Sequence, residues 1–135
     1  MQPVEDSFKF PAKERIKSSL TIKTVVENRK FVAEFPVKCF YRFVKKSDTQ
    51  LPDKQLAVIV PKKRFKHAVD RNRVKRLMRE AYRLQKHTCD TNSEDVLQMC
   101  WLYVGKKLPE YSEICRSTQS ILEQLNQKAK NHLEK

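Results

Sequence analysis

Apolar and polar residues alternate in the segment 37–44, and this two-residue period predicts a β-strand. Short apolar runs at 56–60 and 96–104 predict two further strands. The last of these is apolar on both faces, which places it at the centre of a sheet with Trp101 buried. A turn-rich stretch at 47–54 separates the first two strands, so we expect them to pair as a hairpin.

Apolar residues spaced three and four positions apart predict three helices. The first helix begins at Ser18 or Ser19 and ends near residue 28, the second covers about 68–86, and the third begins near Ser112. The predicted order is therefore helix, strand, strand, helix, strand, helix. Such an order indicates the α+β class, as a two-layer α/β sandwich in which helices cover a small sheet.

Length and composition fit one domain. The chain has 135 residues, of which 39% are hydrophobic, enough to bury a core of ordinary size. We expect a single domain over 1–135, with the polar ends at 1–15 and 127–135 loosely ordered. The longest apolar run, 99–104, is far shorter than the ~20 residues of a spanning helix, and the N-terminus lacks the apolar core of a signal peptide. We therefore expect a cytoplasmic protein without a membrane partner.

Residues that build metal, nucleotide or catalytic sites are sparse. The four cysteines form no C-x-x-C pair and the three histidines are scattered, so we expect buried reduced thiols and no zinc site. The one glycine, Gly105, cannot form the glycine-rich loops that cradle nucleotide phosphates. The sixteen acidic residues are dispersed, so a metal-dependent nuclease centre is not predicted either. We expect no catalytic residue in this chain.

Positive charge is concentrated in the second predicted helix and the loop before it. Residues 62–86 contain eleven lysines and arginines and two acids, a net charge of +9 out of +13 for the chain. On a helical wheel the apolar residues share the side that faces the sheet, and the cations fall on the opposite side. The apolar set is Val74, Leu77, Met78, Ala81 and Tyr82, and the cations opposite include Lys75, Arg76, Arg79, Arg83 and Lys86.

This basic side has two interpretations, a solvated helix surface or a nucleic-acid contact. Solvated faces usually alternate the sign of their charges, whereas Lys75, Arg79 and Arg83 lie at a spacing where like charges repel. Arginine outnumbers lysine five to one within 71–83, and the guanidinium group binds phosphate oxygens in a bidentate manner. One basic helix flanked by strands does not make a helix-turn-helix, so folded RNA is favoured over duplex DNA as the partner.

The predicted strand at 37–44 carries a second unusual face. Lys38, Phe40 and Arg42 share one side of the strand, with an aromatic ring between two cations. A solvated surface with one stray phenylalanine and a binding surface explain this pattern equally well.

The stretch KKRFKHAVDRNRVKRLMREAYR, residues 62–83, closely resembles the signature of the protein subunit of bacterial ribonuclease P. The likeness includes the Arg-Asn-Arg core at 71–73, and the order of the predicted elements agrees over roughly 15–125. The resemblance implies a small mixed sheet in which the arginine-rich helix joins two parallel strands as a βαβ crossover. This crossover is left-handed in the family, although such crossovers are generally right-handed.

In function, the resemblance implies a subunit of ribonuclease P, which removes the 5′ leader of precursor tRNA. The chain would bind the catalytic RNA and the leader, while the RNA carries out the phosphodiester hydrolysis and binds most of the Mg²⁺. No obligate protein partner is implied. A structural or ribosome-associated RNA-binding protein without a role in tRNA processing is the alternative, and the signature favours ribonuclease P.

The resemblance also divides the candidate residues between two surfaces. The surface for the RNA subunit comprises Lys62, Lys63, Arg64, Lys66, Arg71, Asn72, Arg73, Lys75, Arg76, Arg79 and Arg83. The leader-binding cleft, between the first helix and the sheet, comprises Ile22, Val26, Lys38, Phe40 and Arg42. Family members usually have two phenylalanines where this chain has Ile22 and Val26, and often a glycine where it has Arg29.

Overall fold

The computed structural model describes residues 12–47, 51–89 and 94–133. In this part of the chain the elements follow the order α1 (Ser19–Glu27), β1 (Phe31–Glu34), β2 (Val37–Lys45), β3 (Lys54–Ile59), α2 (Ala68–Gln85), β4 (Asp95–Tyr103) and α3 (Tyr111–Leu133). Two short 3-10 turns, Ala12–Glu14 and Lys86–Thr88, precede α1 and follow α2. The predicted α+β class is confirmed.

The four strands form one mixed sheet in the order β1-β2-β4-β3. β1 and β4 run antiparallel to β2, and β3 runs parallel to β4. β4 lies between β2 and β3, which confirms its predicted central position and explains why it is apolar on both faces. α2 joins the parallel pair β3 and β4, as the family resemblance implies, and the hand of this crossover stays a prediction.

The expected hairpin between the strands at 37–44 and 56–60 is wrong. β2 forms its hairpin with β1, in which Phe31 pairs with Phe40, and β3 lies at the far edge of the sheet beside β4. The sequence pattern missed β1 because Val32 is the one buried residue among its four, so the segment shows little apolar alternation.

Helices α2 and α3 cover one face of the sheet and bury most of the apolar core. Trp101 on β4 is 1% exposed, as predicted, and its indole meets the ring of Tyr82 on α2 edge-on at 5.6 Å. This contact fixes α2 against the sheet with its apolar stripe inward. α1 lies on the opposite face, where Val25 packs with Ala57 and Cys100 in a smaller cluster.

Residues 12–16, expected to lie in or beside a loosely ordered arm, contact the sheet edge and the end of α2. Arg15 forms a parallel bridge with Leu56 on β3. The ammonium of Lys86 lies 3.1 Å from a carboxylate oxygen of Glu14, and both side chains are largely buried. Lys86 therefore does not belong to the outward basic side on which the helical wheel placed it, because α2 ends one residue earlier. The rest of the expected arm lies outside the described residues.

α3 continues to Leu133, so most of the segment 127–135, expected to be loosely ordered, is helical. His132 holds this end against the sheet. Its Nε2 lies 2.7 Å from Asp95 Oδ2, and its ring stacks on that of Phe43 at 4.3 Å. Neither α3 nor any other helix in the described ranges combines the length and the apolar composition of a membrane span.

Arg29 follows α1 with a backbone φ of 65°, in the left-handed region that glycine favours after a helix. The conformation explains why the family resemblance places a glycine here, since a Cβ atom carries a steric cost in this region. Replacing Arg29 with glycine should raise the free energy of unfolding by about 0.5–1 kcal/mol, measured by chemical denaturation. Arg29→Ala removes the same side chain but keeps the backbone cost. An equal gain for alanine would contradict the explanation.

Candidate nucleic-acid interface

The outward side of α2 presents a row of polar and charged side chains. Packing of the inward side of the helix against the sheet fixes the direction in which they point. The helix buries Val74, Met78, Ala81 and Tyr82 on its inward side. The outward residues, which we call the basic helix face, are Asn72, Arg73, Lys75, Arg76 and Arg79. Because the apolar stripe sets the rotation of the helix, the structure brings together five residues that the sequence analysis assigned to the RNA subunit.

The basic helix face carries charge that no acid of the described chain neutralises at its centre. Arg73, Lys75 and Arg76 make no hydrogen bond or ion pair within the described residues. Glu80, an acid on the same helix, is bound to Arg83, and the hydrogen bond from Arg83 lowers the pKa of the Glu80 carboxyl. The charge of Arg83 is therefore engaged inside the protein, whereas the other three cations can bind phosphate without breaking an internal contact.

Arg71 shapes the loop that precedes α2. Its Nη1 donates hydrogen bonds to the carbonyl oxygens of Phe65, at 2.8 Å, and Lys66, at 2.9 Å. These bonds hold the loop 62–67 against the first turn of the helix. Arg64 in this loop is half-buried, and its enclosed Nε has no hydrogen-bond partner among the described residues. The exposed cations of the loop are Lys62, Lys63 and Lys66.

On the other face of the sheet α1 packs against β2 and β4, and we call the half-buried surface between α1 and β2 the cleft. Ile22 and Val26 on α1 pack in one cluster with Phe40 on β2, above the buried Val25. The first three are half-buried, so each keeps part of its apolar surface exposed. The structure thus brings together the apolar residues that the sequence analysis assigned to a cleft, and it places Lys38, Phe40 and Arg42 on the same side of β2, as predicted.

A polar row crosses the floor of the cleft beside Phe40. Arg42 Nε donates to Gln98 Oε1 at 2.7 Å, and Gln98 Nε2 donates to Gln55 Oε1 at 3.0 Å. The row holds the guanidinium of Arg42 in place. On β4, beside Phe40, burial raises the pKa of the Cys100 thiol to about 11, so this part of the floor is neutral at physiological pH. An aromatic ring beside a fixed cation can bind a nucleotide, with the base stacked on the ring and the phosphate next to the cation.

Phe31 on β1 adds a second aromatic ring that the sequence analysis missed. It pairs in register with Phe40, with ring centroids 6.0 Å apart, and it is 50% exposed. Lys38 Nζ lies 4.1 Å from the ring centroid of Phe31 and 5.0 Å from that of Phe40. No sequence pattern indicated Phe31, because β1 was not predicted. Gln98, which holds Arg42, could have been noticed as the one polar residue between 96 and 104.

Arg79 joins the basic helix face to the cleft. With Arg15, Ile22 and Ala57 it lines a concavity of about 280 Å³ at the β3 edge of the sheet. Burial lowers the pKa of the Arg79 guanidinium and the positive charge of Arg15 lowers it further, although an arginine stays cationic at neutral pH. The sequence analysis assigned Arg79 and Ile22 to separate surfaces, and the fold makes these two surfaces continuous.

The described residues do not fit a metal centre of the protein's own. Within the described ranges, no three side chains of His, Cys, Asp or Glu lie close enough together to hold a metal ion. His132 and Asp95 form a pair that contacts an aromatic ring and no third ligand of this kind. We therefore assign no chemical step to a metal bound by this chain.

Comparisons with known proteins agree on one family. The family model for ribonuclease P matches residues 10–126. A ribonuclease P protein component from Porphyromonas gingivalis is 36% identical over 123 residues, which cover 86% of this chain and 85% of the relative. Another from Chlorobium phaeobacteroides is 39% identical over 97 residues, which cover 64% of this chain and 66% of that relative.

Solved structures agree with the fold. The RNase P protein from Thermotoga maritima superposes with a TM-score of 0.64 at 18% identity, over 82% of this chain and 96% of that chain. The Staphylococcus aureus RNase P protein superposes with a TM-score of 0.63 at 20% identity, over 82% and 93% of the two chains. At such identities the superpositions support the fold, while the match of the family model over most of the sequence carries the assignment. The chain belongs to the ribonuclease P protein family.

Proposed function

We propose that this chain is the protein component of a ribonuclease P ribonucleoprotein, in which the basic helix face binds the RNA subunit and the cleft binds the 5′ leader of precursor tRNA. Family membership makes it a subunit of an RNA-based endonuclease that acts in tRNA 5′ processing. A structural RNA-binding protein without a role in tRNA processing is disfavoured, because the family model matches residues 10–126.

The difference in chemistry between the two surfaces is the observation that carries the proposal. Arg73 and Arg76 are exposed cations on a rigid helix, which suits the phosphates of a folded RNA. The cleft instead pairs exposed ring surface at Phe40 with a fixed cation at Arg42, which suits an unpaired strand whose bases can stack. A precursor tRNA bound to its catalytic RNA offers both kinds of ligand.

The contribution of this chain to the reaction is binding and orientation. Mg²⁺, bound mainly by the RNA, would supply the Lewis-acid chemistry of phosphodiester hydrolysis. Cations of the basic helix face reduce the repulsion between polyanionic RNA segments that must come together. A leader bound in the cleft adds binding energy for precursor tRNA that mature tRNA does not have, so the protein would favour substrate over product.

We propose a cytoplasmic location for the complex. The four cysteines are reduced thiols, three of them buried, as is usual for proteins of a reducing compartment. The RNA subunit and precursor tRNA of this proposal are found in the same compartment.

Reconstitution with the ribonuclease P RNA of the same genome tests the function. The RNA with the protein should cleave precursor tRNA at a low Mg²⁺ concentration at which the RNA alone is inactive, because protein cations replace part of the screening that Mg²⁺ provides. The protein alone should be inactive. The control is the same protein with an unrelated folded RNA. Unchanged activity of the RNA on adding protein, or cleavage by protein shown to contain no RNA, would refute the proposal.

A further inference from the structure

Phe31 forms a ridge between the cleft and a second concavity. On the cleft side, its ring centroid lies 6.0 Å from that of Phe40 and 4.1 Å from the ammonium of Lys38. On the other side, Phe31 lines a concavity of about 470 Å³ at the β1 edge of the sheet, which we call the β1-edge pocket. Half of the Phe31 surface is exposed, so part of its ring is accessible to a ligand.

The β1-edge pocket is strongly basic. Beside Phe31, its lining residues are Arg29, Lys30, Tyr41, Lys128, Asn131 and His132. Three of these are lysine or arginine, and none of the described lining residues is an acid. The loop after α1 and the last turns of α3 supply the cations from opposite ends of the chain, so the fold, and not a local run of basic sequence, assembles the pocket.

The backbone conformation of Arg29 gives independent support for a binding role of this pocket. Its φ of 65° carries a cost that glycine would avoid, yet an arginine occupies the position and lines the pocket. The left-handed conformation is common just after a helix, and non-glycine residues that adopt it despite its cost cluster at functional sites.

We propose that the leader continues past Phe40, stacks a base on Phe31 and places the following phosphates against Arg29 and Lys128 in the β1-edge pocket. Single-stranded RNA is the occupant because exposed rings and cations succeed one another from Phe40, through Phe31, to the pocket. The inference rests on the proposed binding of the leader in the cleft. The RNA subunit is held on α2, which meets the cleft at Arg79 on the β3 side. The leader therefore enters from that side and leaves across β1.

A series of precursor tRNAs whose leaders grow by one nucleotide at a time tests this path in the reconstituted holoenzyme. With the shortest leaders, Phe31→Ala should bind as the wild type does. With longer leaders its affinity should be about fivefold to tenfold lower, in the lower part of the range for base stacking, because the ring is half-exposed. The effect of Phe40→Leu should begin at a shorter leader than the effect of Phe31→Ala.

Phe35→Ala is the matched control for this series. Phe35 is a 72% exposed phenylalanine on the turn between β1 and β2, and it lines neither the cleft nor the β1-edge pocket. Its replacement removes the same side chain from the same hairpin. The Phe35→Ala holoenzyme should bind every leader as the wild type does.

The double variant Arg29→Gly, Lys128→Gln tests the phosphate contacts. For long leaders, the slope of log K against log salt should be about 1.4 smaller in magnitude, at ~0.7 for each contact with a single strand. For the shortest leaders the slope should not change. Misfolding cannot explain such a result, because glycine at position 29 relieves the backbone cost and the variant should be at least as stable as the wild type.

The outcomes separate failure of this path from failure of the proposed function. A leader effect for Phe40→Leu with none for Phe31→Ala at any length would overturn the path and leave the proposed function intact. Equal weakening by Phe31→Ala for every leader and for mature tRNA would make the RNA subunit or the tRNA body the occupant, which also overturns the path. No leader-dependent effect of either variant would refute leader binding in the cleft itself.

Discussion

Replacing Arg73 and Arg76 together with glutamine should weaken binding of ribonuclease P RNA roughly tenfold to a hundredfold at low salt. Both side chains are exposed on the basic helix face and make no hydrogen bond or ion pair within the described part of the chain. Each phosphate contact releases counterions, so the slope of log K against log salt should fall by about 0.7–0.9 per arginine. Titrations of the RNA with protein at several salt concentrations measure both quantities.

Arg116→Gln is the matched control for the loss of charge. Arg116 is an exposed arginine on α3, where it lines a concavity together with the acids Glu34 and Glu113. Its replacement should leave the affinity for the RNA and the salt slope close to wild type. An unchanged slope in the double variant would mean that the basic helix face is a solvated surface. An equal loss per charge in Arg116→Gln would mean that binding follows net charge and not this face.

Phe40→Ala should weaken binding of precursor tRNA to the holoenzyme by about 1–3 kcal/mol, the loss of one base-stacking contact. Binding of mature tRNA, which has no leader, should not change. The salt slope should also stay close to wild type, because stacking on an aromatic ring releases few counterions. The measurement is a pair of titrations, with precursor and with mature tRNA, on the reconstituted holoenzyme.

The packing of Phe40 makes a second variant necessary. Phe40 belongs to the apolar cluster around Val25 and Cys100, so its truncation to alanine also lowers the stability of the fold. Phe40→Leu keeps most of the buried volume and removes the aromatic face, and it should lose preference for precursor tRNA while keeping the melting temperature. Phe43→Leu, on the opposite face of the same strand, should keep the preference. Equal weakening for both tRNAs by Phe40→Leu would contradict a stacking role.

The helices and the central strand were predictable because each buries a regular stripe. Val74 and Met78 lie four positions apart on α2 and are both buried, and Trp101 is buried in a strand that is apolar on both faces. The strand partners were not predictable in this way. β1 has four residues and one buried side chain, and β3 pairs with a strand that follows only after the whole of α2. Such pairings depend on how α2 packs, which no local pattern records.

The candidate site was likewise predictable only in part. The positive charge of α2 and the cation–ring–cation order at Phe40 are visible in the sequence, since they depend on residue type and spacing. Which cations remain available is not visible. Arg71 donates to loop carbonyls and Lys86 is paired with Glu14, a residue far away in sequence. The exposed ring of Phe31 likewise reaches the cleft only through the register of the hairpin.

In our proposal two surfaces of this protein bind two different RNAs, and two affinities measured on the same variants test this division. These are the affinity of the protein for the RNA subunit, and the ratio of holoenzyme affinities for precursor and mature tRNA. We expect Arg73→Gln with Arg76→Gln to lower the affinity for the RNA subunit. At saturating protein, the ratio of affinities for precursor and mature tRNA should not change. We expect Phe40→Leu to leave the affinity for the RNA subunit unchanged and to lower the ratio of affinities for precursor and mature tRNA. Parallel loss of both quantities in both variants would contradict the division into two surfaces.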